Sequence, residues 1–174
     1  MNMTNSLKLR LAHGEIKLLL MIAITANMSF TTAVAQTITG VVTAIKDGDT
    51  IELLIDKKPN KIRLYGIDCP EKSQDYGTQA TKFTAEKCFQ KKVTIRQFGK
   101  DKYGRTLGVV ILADGSNLNQ LLVTNGFAWR YKYSTDKELL KMQHTAMAQK
   151  LGLWSMPEPT PPWNFRKDHR RKKK

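Results

Sequence analysis

Cysteine is scarce in this chain: there are two in 174 residues, Cys69 and Cys88. They form no CxxC pair and have no Cys/His spacing around them, which excludes the common zinc sites and dithiol redox chemistry. Histidine is as sparse, with His13, His144 and His169 far apart in the sequence. No apolar run reaches the roughly 20 residues of a membrane-spanning helix. No internal repeat or second domain is visible. Acidic residues are outnumbered 15 to 29 by lysine and arginine, a net charge of +14. That imbalance points to a polyanionic partner, nucleic acid before anionic surfaces.

The ends carry separate information. Lys8, Arg10 and Lys17 precede a short apolar run, Leu18 to Ala26, and Ala33-Val34-Ala35 supplies small residues for a peptidase. Residues 1–35 are expected to be a secretory signal peptide cleaved after Ala35; an uncleaved anchor is the other reading. Cleavage removes a net +2 and leaves +12. Half of that excess lies in the last nine residues, Arg166 to Lys174, with seven basic side chains and Asp168. A run of this kind binds a polyanion or is simply a solvated end. In an exported chain Cys69 and Cys88 allow one disulfide; two buried thiols are the alternative.

Short Ile-, Val- and Leu-rich runs predict strands at 38–45, 50–55, 61–67, 92–98 and 106–113. Asp47-Gly48 marks a hairpin between the first two, and Pro59-Asn60 a turn before the third. Helical spacing covers 76–89, 118–124 and 137–151, with Asn125-Gly126 and Gly152 as stops. The Met156 to Pro162 segment reads as extended. Five strands with three helices suit an α+β, mainly β fold: a small closed five-stranded barrel with helices packed on it.

Asp49 leaves the hairpin turn and Asp68 the third strand. Two carboxylates that meet at a sheet rim, with a backbone carbonyl, make an oxygen-only site suited to calcium. Glu71, displaced by Pro70, is placed to take a proton from water. Arg63 and Arg105 can grip one phosphate by paired hydrogen bonds. Each segment alone has an ordinary reading: a turn, a strand exit, a surface ion pair. Tyr103, Trp129, Tyr131 and Tyr133, interleaved with Arg130 and Lys132, suit base stacking with phosphate contact, which favours single-stranded nucleic acid; core packing is the alternative for some of them.

The segments AIKDGDTI, IRLYGIDCPE, DKYGR, LLVTNGFAW and LGLWS, in this order between Ile38 and Trp154, resemble the staphylococcal nuclease (thermonuclease) family. The resemblance implies an OB-fold barrel with three helices over residues 36–155, leaving 156–174 outside it as a Pro-rich segment and basic tail. It implies a calcium-dependent, sugar-nonspecific endonuclease that cuts DNA and RNA and leaves 3′-phosphates. By position, Asp49, Asp68 and the Cys69 carbonyl match the calcium ligands, and Asp47 an acid behind them. Glu71 matches the general base, Arg63 and Arg105 the phosphate-binding arginines, and Tyr103 and Tyr131 nucleotide-site tyrosines. Cys69 stands where the archetype has threonine, and the stretch from Glu71 to Tyr76 is shorter. The expected state is a secreted or periplasmic monomer with no obligate protein partner.

Overall fold

The computed structural model describes residues 36–171; the leader expected at 1–35 and the last three lysines lie outside the described residues. Five strands close a barrel: β1 (Thr37–Asp47), β2 (Thr50–Ile55), β3 (Lys58–Leu64), β5 (Lys92–Lys100) and β6 (Thr106–Ile111), in the order β1-β2-β3-β6-β5. All neighbours are antiparallel except β3 and β6. Alternate residues point inward, so Val42, Ile51, Leu53, Ile62, Leu64, Val93, Ile95 and Val110 fill the interior. Each such side chain contributes about 1.5–3 kcal/mol by leaving water.

The helices are α1 (Gly77–Cys88), α2 (Leu118–Thr124) and α3 (Lys137–Ala148), within a residue or three of their expected spans. Asn117 caps α2 through its side chain, and Asp136 caps α3 by accepting from the Glu138 and Leu139 amides. These satisfy N–H groups that the first helical turn leaves without partners. Leu118, Leu122, Val123 and Leu139 seal one side of the barrel core.

Three features differ from the sequence expectation. The β2–β3 turn is at Asp56-Lys57, both with positive φ, the left-handed pair that a tight hairpin of this twist requires. Pro59 and Asn60 belong to β3, opposite Leu54 and Leu53. Proline is tolerated there because β3 pairs with β6 only from Ile62 to Leu64, so one edge at Pro59 needs no N–H.

The third strand also ends earlier, at Leu64. The chain turns at Gly66 (φ +78°) and restarts as β4 (Ile67–Asp68), paired with β7 (Trp129–Arg130). The third difference is at the C-terminus. A 3-10 turn (Gly152–Ser155) follows α3, and residues expected to be a tail form α4 (Pro162–Arg171). Proline at the first position of a helix has φ already suitable and no N–H to leave unpaired.

Candidate active site

Three chain segments meet at one rim of the barrel. Asp49 sits in the β1–β2 hairpin, where the Asp47 carboxylate accepts its N–H at 3.1 Å. The Asp49 carbonyl accepts the Leu64 N–H of β3 at 2.8 Å. The second segment is β4, and just past it the Cys69 N–H donates to Asp49 Oδ2 at 2.6 Å. Such a close approach depends on Gly48, since a Cβ there would lie 2.8 Å from Cys69 Cβ and 2.9 Å from its Sγ. The third is the Glu71 loop, packed on the start of α1: a Cβ on Gly77 would lie 1.8 Å from the Glu71 carbonyl oxygen. Gln74 braces that loop by accepting the Glu71 N–H at 3.2 Å and donating its own N–H to the Glu71 carbonyl at 2.8 Å.

Arg63, opposite Thr50 in the β2–β3 register, lies between the two aspartates. Its Nη1 is 2.7 Å from Asp49 Oδ2 and its Nη2 is 2.7 Å from Asp68 Oδ1. Both carboxylates are buried, Asp49 at 5% and Asp68 at 1% exposure. Burial pushes the Asp49 carboxyl up to about 8; Arg63 opposes this, while Asp47 and Asp68 add to it. Burial also disfavours the charged Arg63, but Asp49 and Asp68 outweigh it and hold the guanidinium above its ordinary value.

The structure brings Asp47, Asp49, Arg63, Asp68, Cys69 and Glu71 together. Arg105 and Tyr103 occupy a separate turn after β5. There Asp101 accepts Arg105 Nε at 2.7 Å and the Tyr103 and Arg105 amides at 2.9 and 3.0 Å. Tyr103 is 72% exposed, with Lys102 and Arg105 against its ring. Tyr131 lies next to β7, its ring centroid 5.5 Å from that of Tyr133 and 6.5 Å from that of Trp163.

Sequence reasoning missed Arg166. From α4 its Nη2 reaches Asp68 Oδ2 at 2.7 Å, and its Nη1 reaches Glu71 Oε1 at 2.7 Å. Nothing local distinguishes it from the other basic residues of the tail; the Pro161-Pro162 pair was the only sign that a helix begins there.

Whether this cluster suits a cation follows from its donors and its charge. Among the described residues, no three carboxylate, thiol or imidazole groups already converge at ligand spacing, because guanidiniums stand between the carboxylates. The donors are nevertheless all oxygen. Cys69 turns its side chain against Gly48, and burial raises its thiol well above the ordinary value, so the residue offers a carbonyl and not a thiolate. With Asp49 ionised, as a bound cation would require, four carboxylates (Asp47, Asp49, Asp68 and Glu71) face two guanidiniums, an excess of two negative charges. A hard divalent cation fits that set.

The model of the family described as staphylococcal nuclease homologue matches residues 61–156. The chain belongs to the staphylococcal nuclease family. An "Uncharacterized endonuclease" of Escherichia coli is 47% identical over 128 residues, covering 73% of this chain and 84% of that protein. A "Micrococcal nuclease" of Shigella flexneri is 37% identical over 139 residues, 74% of this chain and 80% of that protein. "Protein ParB" of Escherichia coli is 37% identical over 140 residues, 74% of this chain and 79% of that protein. This family member is an endonuclease that hydrolyses phosphodiester bonds, on a five-stranded barrel of the OB type. Free thiols at Cys69 and Cys88, both buried, answer the question the sequence left open about a disulfide.

Proposed function

We propose that this nuclease is calcium-dependent and sugar-nonspecific, that it cuts DNA and RNA to leave 3′-phosphates, and that it prefers single strands. The observation that carries the reading is the buried Asp49–Arg63–Asp68 bridge with Glu71 at its mouth. Asp49, Asp68 and the Cys69 carbonyl would hold the ion, with Asp47 supporting Asp49 through the hairpin. A calcium ion held there would supply positive charge to offset that of the phosphate.

The chain's own residues do the rest. Glu71, at 38% side-chain exposure, is open to water and takes a proton from it. Arg63 offers a planar fork to a phosphate oxygen as negative charge builds in the transition state. Arg105, from the separate turn after β5, is assigned a second grip on the phosphate. Exposed Tyr103 and half-buried Tyr131 stack bases, which favours a single-stranded substrate. Residues 1–35 act as a signal peptide, the nuclease domain is 36–155, and the mature product is a secreted or periplasmic monomer. Among the described residues no helix is long and apolar enough to cross a membrane.

The test is digestion of single-stranded DNA and of RNA with calcium and with chelator, followed by end-group analysis. The expected outcome is 3′-phosphate products in calcium alone. Cleavage indifferent to chelator would overturn the cation assignment, and 5′-phosphate products the assigned polarity.

A further inference from the structure

Helix α4 is held against the active site at three points. Trp163 lies edge-on to Trp129 with ring centroids 5.8 Å apart and 6.5 Å from Tyr131. Gln74, in the loop that carries Glu71, donates from its side-chain amide to the Thr160 carbonyl just before the helix. Arg166 supplies the third point, and it is the one with a chemical consequence.

The Arg166 guanidinium bridges Asp68 and Glu71. Nη2 donates to Asp68 Oδ2 at 2.7 Å, and Nη1 donates to Glu71 Oε1 at 2.7 Å and to Asp68 Oδ1 at 3.3 Å. Arg63 already donates to Asp68 Oδ1 at 2.7 Å. Both oxygens of Asp68 are therefore engaged by guanidiniums, and the proposed base has a charged donor on one oxygen. A carboxylate in this condition has few lone pairs left for a cation, and Glu71 is a poorer proton acceptor while a cation holds it.

We propose that α4 is an intramolecular latch, in which Arg166 is the cation-free occupant of the calcium subsite and has to be displaced for calcium to bind. This rests on the reading of Asp49 and Asp68 as the cation carboxylates. Arg166 keeps 39% of its side chain exposed. With Glu71 at 38%, the Arg166–Glu71 pair is open to solvent and screened; Arg166 exchanges more readily than Arg63, whose side chain is 14% exposed between two buried aspartates. The latch lowers apparent calcium affinity by the fraction of molecules in which it is open. A site closed nine times in ten binds calcium about tenfold more weakly than the bare carboxylates would.

The deciding experiment is calcium titration by calorimetry on the full chain, without nucleic acid, for wild type, Arg166→Gln and Trp163→Ala. Circular dichroism establishes that each is folded. Arg166→Gln is expected to bind calcium about tenfold more tightly. Trp163→Ala, which keeps the arginine and loosens the helix, is expected to move in the same direction. Tryptophan emission gives an independent readout: calcium should shift wild-type emission as Trp163 leaves Trp129, and Arg166→Gln should show the shifted spectrum before calcium is added. Equal or weaker calcium affinity in both variants would overturn the latch and leave the cation site standing. No calcium binding by any of the three proteins would overturn the cation reading, and the latch with it.

Discussion

Gly77→Ala tests whether the backbone of the Glu71 loop sets the position of the base. The added methyl would sit 1.8 Å from the Glu71 carbonyl oxygen and 2.6 Å from its carbonyl carbon. Ordinary contact begins at 3.4 Å, so the loop and α1 must separate by about 1.6 Å. Neither of these atoms can rotate away, because both are main chain. The brace through Gln74 would have to move with it. Overpacking of this kind costs about 1–3 kcal/mol of stability, and a misplacement of about 1 Å at a catalytic group can lower the rate on the order of 10²-fold. The variant should therefore remain folded at 25 °C while kcat on single-stranded DNA falls about a hundredfold at saturating calcium. Gly115→Ala is the comparison: it has positive φ but nothing within 4 Å of the added atom, so it should lose a little stability and keep its rate. Thermal melts and initial rates on both proteins measure the two effects. A Gly77→Ala protein with wild-type kcat would refute the argument that this contact positions Glu71.

Glu71→Gln should lower kcat about 10²- to 10⁴-fold while substrate affinity, measured by fluorescence anisotropy, changes little; a near-normal rate would remove Glu71 from the base position. The Asp49 carboxyl, pushed up to about 8 by burial, carries a proton below that pH that calcium must displace. Calcium affinity should rise as pH increases toward 8 and level off above it, and calorimetry in buffers of different ionisation enthalpy should register proton release; affinity independent of pH from 6 to 8 would count against this. Cys88, whose thiol burial pushes up to about 12, and Cys69 should resist alkylation at pH 8 until the protein is unfolded, and both should be counted as free thiols afterwards.

Much of the barrel was legible because its signals are local. Alternation of apolar residues marks β1, β2, β5 and β6, and Asn125-Gly126 ends α2 where a left-handed residue is needed (Gly126 φ +69°). The errors fell where local signals compete. Pro59-Asn60 is a good turn pair by composition, but pairing with Leu54 and Leu53 kept it in β3. The run through Ile67 looks continuous, yet Gly66 breaks it, and the partner of Ile67 and Asp68 is β7, more than sixty residues away in the sequence.

The candidate site divides in the same way. Asp47, Asp49, Arg63, Asp68, Cys69 and Glu71 lie in two short segments whose types and order could be read directly, because a hairpin and a strand exit put them near one rim. Arg166 could not, since its importance depends on a contact with Glu71 across 95 residues and its neighbours are equally basic. The sequence by itself determined the barrel-type strand pattern, the excess positive charge and the membership of a nuclease family. Only the tertiary structure decided that Arg63 joins both aspartates, that two glycines permit the close approach of the three segments, and that the C-terminal basic run is a helix docked on the site. The physical reason is that side-chain chemistry and short-range periodicity are written along the chain, whereas distances between segments are set by packing.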